Sequence, residues 1–288
     1  NIARCVREAG LEMEALTLEP LASSESVLTK EEKEAGVAIV DIGGGTTDIA
    51  IFKDNIIRHT CVIPYGGGII TDDIKEGCSI IEKHAEQLKV KFGSAVPELE
   101  KDTTFVTIPG LHGRPDKEIS LKTLAQVVNA RVEEILEMVN TELKAYGAFE
   151  QKKKLIAGIV LTGGGSNLRN LRQLANYTTG FDSRIGFANE YVANDKNQFL
   201  KGPEFATSIG LLMESLKIRD KKSYPEAIEN VEEKIEMVTP EAAPETIDTP
   251  QFRTHEGENE ELERKKPSKL TIGQKIMESV KKFFEEVE

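Results

Sequence analysis

The sequence predicts an α/β protein followed by a solvated tail. Short apolar, β-branched runs alternate with segments of helical period as far as about residue 217. Two of the strand-like runs end in triple glycines, and Gly163 stands 120 positions after Gly43. Beyond Lys221 the chain turns to Glu and Pro with few large apolar residues, a composition that cannot bury a core.

The elements follow in order. Residues 1–16 read as an amphipathic helix carrying Ile2, Val6 and Ala9, with Gly10 near its end. Because the chain opens at Asn1 inside this pattern, it is expected to be a fragment lacking an N-terminal part. Leu16-Thr17-Leu18 reads as a short strand, and Pro20 fits the first turn of a helix, where a missing N–H costs nothing. Thr29-Lys30-Glu31-Glu32 matches a capping box, and Gly36 ends that element. A hairpin over residues 37–52 and a strand over 56–63 come next. Pro64-Tyr65-Gly66-Gly67-Gly68 breaks the strand and opens a helix from Ile69 to about Gly77. Residues 79–91 are helical, with Ile81, Ala85 and Leu88 as the apolar spacing. Thr103 to Ile108 is a strand. Residues 117–146 read as one long helix with Ile119, Leu121, Leu124, Val128, Val132, Ile135, Leu136, Val139 and Leu143 on its stripe. Residues 155–161 form a strand, Leu168 to Asn176 a helix, Arg184 to Phe187 a short strand, and Glu204 to about Leu216 a helix.

Composition bounds the function. At 288 residues, 39% hydrophobic and 30% charged, the chain can build one or two globular domains. A net charge of -12 argues against nucleic acid as a partner, which needs a basic face. No apolar run approaches the ~20 residues of a membrane-spanning helix. Cys5, Cys61 and Cys78 are few, odd in number and not in metal-ligand spacing, so a reduced cytoplasmic compartment is expected. The four histidines are scattered and suggest no metal site.

The glycine turns carry the chemistry. Asp41 ends a buried strand just before Gly43, Gly44 and Gly45, where a carboxylate can hold Mg²⁺ through water. The N–H groups of those glycines and the hydroxyls of Thr46 and Thr47 can contact β- and γ-phosphates, with Asp48 organising the turn. The plain alternative is a tight hairpin with no ligand, although three glycines and two threonines exceed what a hairpin needs. Gly163, Gly164, Gly165 and Ser166 lie between a strand and a helix, a bare surface for a purine or ribose, or else an ordinary α/β turn. Neither turn has the spacing of a Walker loop or a dinucleotide fingerprint. Glu19, before Pro20, can orient a water for attack on a γ-phosphate, or be a surface glutamate. Glu86 and Lys89 share a helix face and can hydrogen-bond ribose and adenine, or be a solvated charged pair.

The order of these motifs resembles the actin-like ATPases, the superfamily of actin, the large heat-shock chaperones, sugar kinases, MreB and FtsA. The Tyr65-Gly66-Gly67-Gly68 and Ala22-Ser23-Ser24-Glu25-Ser26-Val27 stretches, the acidic linker and the terminal helix are similar to the bacterial FtsA family in particular. The likeness covers residues 1 to about 217 and returns at 269–288. It implies the second lobe of an actin-like (ribonuclease H-like) fold. Residues 1–16 would close the first lobe. Residues 17–68 and 151–218 would form a larger nucleotide-binding subdomain, a mixed sheet flanked by helices, and residues 69–150 a smaller inserted α/β one. Residues 219–268 would be an acidic disordered linker, and 269–288 a membrane-targeting helix. By position it matches Asp41 to the Mg²⁺ carboxylate and Gly43, Gly44, Gly45 and Thr46 to the phosphate loop. Gly163, Gly164, Gly165 and Ser166 match the adenosine motif, and Glu86 and Lys89 the ribose and adenine contacts. It implies ATP with Mg, hydrolysis slow at most, self-polymerisation, docking of the FtsZ C-terminal peptide and other divisome proteins. The expected place is the cytoplasmic face of the inner membrane at the division septum, as a peripheral protein.

In the last segment Ile272, Ile276, Met277, Val280, Phe283, Phe284 and Val287 fall on one face, flanked by Lys275, Lys281 and Lys282. That pattern suits an interfacial helix at an anionic membrane surface, each lysine contributing about 1 kcal/mol. The alternative is a helix packed on the body. A flexible linker of this length has a reach of about 35–40 Å. The leading expectation is therefore an ATP-binding, membrane-tethered adaptor for a cytoskeletal filament in cell division. Actin-fold ATP-driven enzymes, such as a chaperone-type ATPase or a sugar kinase, and an MreB-like rod-shape filament protein are the alternatives.

Overall fold

The computed structural model describes residues 1–110, 115–188, 200, 202–222 and 253–256, the last four and 220–222 by backbone alone. Its centre is a five-stranded mixed sheet in the order β3-β2-β1-β6-β7. Strands β1 (Val37–Ile42), β2 (Thr47–Lys53) and β3 (Ile56–Ile63) form an antiparallel meander. Strands β6 (Ile159–Thr162) and β7 (Ser183–Ile185) add in parallel, β6 against β1 with Asp41 opposite Thr162.

β1 is buried at every position because both faces of the sheet are covered. Ala38, Val40 and Ile42 point to one side and join Ile49, Ile51, Leu161 and the helices α4 (Gly67–Gly77), α5 (Glu82–Phe92), α6 (Leu121–Tyr146) and α7 (Leu171–Thr179). Val37 and Ile39 point to the other side and join Phe52, Val160 and the helices α2 (Glu19–Val27) and α8 (Ala206–Lys222). Each such aliphatic side chain contributes about 1.5–3 kcal/mol by burial. α8 crosses α2 so closely that a Cβ on Gly210 would lie 1.8 Å from the Ala22 carbonyl oxygen.

Helix α3 (Lys30–Ala35) carries the expected reciprocal capping box between Thr29 and Glu32, and Gly36 stops it at φ 103°. Helix α1 is shorter than the sequence pattern, Ile2–Glu8, because Gly10 turns left-handed at φ 76°. Leu16 and Leu18 are exposed and pair with no strand among the described residues, so the expected strand there does not form. The expected helix over 117–146 divides. Lys117–Ser120 is a strand, β5, pairing antiparallel with β4 (Thr104–Ile108), which places Ile119 opposite Val106 in the core. The helix proper begins at Leu121 and ends where Gly147 adopts φ 86°. A short 3₁₀ turn, Gly164–Asn167, precedes α7, which starts late because Asn170 is left-handed.

α8 runs past residue 219, and four residues of the expected linker, Arg253–Glu256, form a strand, β8, on the outer edge of β4. The terminal residues Ile272, Ile276, Met277, Val280, Lys281, Lys282, Phe283 and Phe284 lie outside the described residues. Among the described residues no helix is long and apolar enough to cross a membrane.

Candidate functional site

The pairing of β1 with β6 is parallel, so both triple glycines emerge side by side at the carboxyl ends of adjacent strands. That is where open α/β sheets place their ligands. A cavity of about 340 Å³ opens there, within the range of small-molecule sites. Gly43 and Gly44 from the first turn line it, as do Gly164 and Gly165 from the second, Glu86 and Lys89 from α5, and Gly67 from the start of α4. Sequence positions 120 apart thus converge on one space.

The glycines serve two purposes. A Cβ on Gly44 or Gly45 would meet nothing within 4 Å, and one on Gly164 only the Glu204 Cβ at 3.9 Å. Packing inside the chain does not require glycine at these places. An incoming ligand that must touch backbone does. Gly163 and Gly165 differ. At Gly163, φ is +81° and a Cβ would fall 2.3 Å from Asp41 Oδ1, and at Gly165 it would fall 2.4 Å from Ile42 Cγ2. These two let the second turn lie against the end of β1.

The first turn is held from beneath. Gly43 N–H donates to the Thr46 carbonyl at 2.9 Å. Thr46 Oγ1 donates to Asp48 Oδ2 at 2.9 Å, so Asp48 organises the turn, as its place in the motif suggested. Thr47 is buried, its hydroxyl donating to the Tyr65 carbonyl at 2.8 Å. Gly44, Gly45 and Thr46 stay exposed. In the second turn Ser166 is likewise buried, donating to the Thr162 carbonyl at 2.6 Å. Gly45, Thr46, Thr47, Gly163, Ser166, Asp41 and Glu19 therefore stand around the cavity rather than on its wall.

Sequence reasoning missed the third glycine run as part of this site. Gly67 N–H donates to the Gly43 carbonyl at 2.8 Å and Gly68 N–H to the Gly44 carbonyl at 2.7 Å. A Cβ on Gly66 would sit 2.6 Å from the Gly43 carbonyl oxygen. The amino end of α4 thus grips the carbonyl side of the first glycine turn. Arg131 on α6 bonds both oxygens of Asp73 on α4, at 2.6 and 3.1 Å, and lies 5.9 Å from the Tyr65 ring centre. A glycine run directly after a strand and at a helix start was the available signal. Ile70, Val90, Asn167, Leu168 and Glu204 on the cavity wall carried none.

Lys89 spends all three ammonium donors. It reaches the Gly67 carbonyl and Thr71 Oγ1, each at 2.8 Å, and pairs with Glu86 at 2.7 Å. Thr71 in turn donates to Glu86. Burial pushes the Glu86 carboxyl up, but the bonds from Lys89 and Thr71 and the lysine charge outweigh it and hold it below the ordinary glutamate range.

Asp41 is buried at the end of β1. Its Oδ2 accepts from Ser23 Oγ at 2.7 Å and faces Thr207 Oγ1 at 3.5 Å, so it ties β1 to α2 and α8. Burial, with the nearby Asp48 charge, raises its pKa despite the bond from Ser23. Glu19 is raised as well, by burial first and then by the charges of Asp41 and Asp48. Three carboxylates thus repel one another beside the first turn, an arrangement a cation would relieve. Among the described residues no three His, Cys, Asp or Glu side chains lie close enough to ligate one ion directly.

A family model described as cell division protein FtsA matches residues 38–210. The cell division protein FtsA of Pseudomonas aeruginosa is 40% identical over 216 residues, covering 75% of this chain and 51% of the relative. That of Neisseria meningitidis serogroup B is 37% identical over 226 residues, covering 78% and 54%. The chain spans about half the length of the curated relatives it matches. Among solved structures, MreB5 of Spiroplasma citri bound to ADP superposes with a TM-score of 0.63 at 21% identity, over 77% of this chain and 66% of that one. This likeness bears out the actin-like α/β fold.

Proposed function

This chain belongs to the cell division protein FtsA family, and on that premise we propose that it is the second lobe of an ATP-binding adaptor that ties a division filament to the membrane. One observation carries the reading: both triple glycines and the Glu86–Lys89 face of α5 border a single cavity. Beside it the exposed backbone N–H groups of Gly44, Gly45 and Thr46 hold the β- and γ-phosphates, while the Gly43 N–H and the Thr46 hydroxyl, bonded to the Thr46 carbonyl and to Asp48, fix the shape of the turn. Gly164 and Gly165 carry the adenosine half, with Glu86 and Lys89 beside the ribose. Asp41 would hold a Mg²⁺ through water, and the ion would supply positive charge to offset that of the phosphates. Glu19 positions a water near the γ-phosphate, in keeping with slow hydrolysis. Thr47, Gly163 and Ser166 support the site from behind.

Residues 17–68 and 151–218 act as the nucleotide-binding subdomain, and 69–150 as the smaller subdomain that docks the C-terminal peptide of FtsZ. The segment 269–288, with Ile272, Ile276, Met277, Val280, Phe283 and Phe284 facing the acyl chains and Lys281 and Lys282 the headgroups, tethers the body to the inner membrane. Self-polymerisation and contacts with other divisome proteins complete the role. The family match falls on FtsA, which favours this reading over the chaperone-type, sugar-kinase and MreB-like alternatives, the MreB5 likeness at 21% identity bearing on the fold alone.

Two measurements test this. Calorimetric titration of the chain with MgATP is expected to show one saturable site, and absence of heat removes the nucleotide role. Sedimentation with vesicles containing anionic lipid is expected to pull down the chain but not one ending at residue 268, and equal recovery of both removes the anchor.

A further inference from the structure

We propose that Asn170, with Ser94 as its partner, is a positioning residue for the nucleotide: its side chain clasps the two walls of the cavity where they meet and so sets the spacing that a ligand must span. The proposal rests on the nucleotide reading above and adds what holds that site at its working width.

One wall is α5, with Glu86, Lys89 and Val90, and the other runs from Gly164 to Leu168. The chain leaving each wall is bonded at once to the chain leaving the other. Ala95 N–H donates to the Arg169 carbonyl at 2.8 Å, and Arg169 N–H donates to the Gly93 carbonyl at 3.2 Å. The Arg169 guanidinium donates to the Phe92 carbonyl at 2.6 Å and pairs with Glu100 at 3.2 Å. Asn170 Nδ2 donates to Ser94 Oγ at 3.0 Å, and Ser94 is fully buried. Gly93 permits the approach, since a Cβ there would lie 2.8 Å from Leu168 Cδ2.

The backbone of Asn170 shows that its side chain has a purpose beyond the turn. Its φ is +62°, in the left-handed region, where glycine is the easiest residue and asparagine is tolerated. Glycine would serve the turn alone. Asparagine adds the amide that crosses to Ser94. The backbone pairing at this junction is a single bridge, Ser94 opposite Arg169, which acts as a pivot rather than a sheet. A side-chain bond set off from a pivot resists turning about it, so the walls keep their separation. Neither Asn170 nor Ser94 lies on the cavity wall, so their effect on a ligand passes through geometry and not through contact. A ligand that touches both walls binds best when they are already spaced for it, because no ordering is then left for the binding step.

Calorimetric titration with MgATP tests this in the parent chain, Asn170→Gly, Ser94→Ala and the double variant. Asn170→Gly removes the amide and suits the left-handed backbone, so its melting midpoint is expected to stay within about 3 °C of the parent. Its MgATP affinity is expected to fall about three- to tenfold, the worth of one hydrogen bond. Ser94→Ala is expected to give a similar loss. The double variant is expected to bind within about twofold of either single one, because both remove the same bond. Asn170→Asp, whose carboxylate can accept from the Ser94 hydroxyl, is expected to bind within about twofold of the parent. Parent-like affinity in Asn170→Gly, losses that add in the double variant, or equal losses in Asn170→Asp and Asn170→Gly each overturn the clasp and leave the nucleotide site standing. Failure of the parent chain to bind MgATP overturns the nucleotide reading and this inference together.

Discussion

In the first glycine turn a Cβ on Gly44 or Gly45 would enter open space, whereas in the second a Cβ on Gly163 would strike Asp41 and one on Gly165 would strike Ile42. The same tripeptide therefore has different physical reasons at its two occurrences. The first turn leaves its outer backbone bare, and the second is bare chiefly so that it can lie on the end of β1. What this teaches is that a glycine run marks a close approach without saying whether the approaching body is a ligand or another part of the chain.

The largest effect that can break this comparison comes from alanine at the packed glycine. Gly163→Ala must accept φ +81° and displace the Asp41 carboxylate, and is expected to cost roughly 3 kcal/mol or more in denaturant unfolding. Gly44→Ala, in contrast, is expected to stay within about 0.5 kcal/mol of the parent while weakening MgATP binding at least about tenfold. Equal destabilisation by the two would erase the distinction.

Next comes the support of the first turn. Lys89→Ala removes three hydrogen bonds, leaves Glu86 without its counter-charge, and frees Gly67 from α5. Its expected cost is about 1–3 kcal/mol, read by thermal or denaturant melting, together with weaker MgATP binding. Unaltered MgATP affinity would show that α5 does not reach the ligand.

A pair remote from the cavity sharpens the comparison as a control. Arg184 bonds both oxygens of Glu32, each at 2.7 Å, and donates to the Val27 carbonyl at 2.7 Å. Burial pushes Glu32 up, but Arg184 and the Thr29 N–H overcome it and hold the carboxyl below its ordinary value. The stability this contributes is complete above the unfolded glutamate pKa and is lost as pH falls through the lower folded value. Arg184→Ala is expected to cost roughly 1–3 kcal/mol at pH 7, to lose the Arg184 share of that acid-side dependence in melts taken across pH, and to leave MgATP affinity intact.

The smallest expected effect has the opposite sign. Asp41 has a raised pKa through burial, so its contribution to stability is present below the unfolded carboxylate value and is lost as pH rises through the folded one. Near pH 7 the buried charge is a burden. Asp41→Asn is expected to raise the melting midpoint by roughly 2–4 °C, with the gain fading as pH drops through the carboxylate range, and to weaken MgATP binding. A variant both less stable and unaltered in binding would assign Asp41 to packing alone.

Much of this arrangement was legible in the residues. β1 and β6 are short β-branched runs ended by glycine, and the Thr29–Glu32 capping box is a local pattern with a local cause, so both emerged directly. The division of 117–146 into β5 and α6 was not legible, because Ile119 continues the helical stripe and only its pairing with Val106 makes it a strand residue. Leu16 and Leu18 read as a strand for want of any local sign that no neighbour would pair with them. At the site, the convergence of two distant turns depends on the parallel register of β1 and β6, which no local motif encodes. The grip of Gly67 and Gly68 on the first turn and the place of Glu204 on the cavity wall arise in the same way, from tertiary contact between segments far apart in the chain.

The central claim, that both turns hold one ligand, is tested most directly by following backbone amide resonances during a MgATP titration. The account predicts that Gly44, Gly45, Gly164 and Gly165 shift together along a single binding curve, with the α5 amides near Glu86 and Lys89 following the same curve. Shifts confined to one turn, or two turns moving with different affinities, would contradict it.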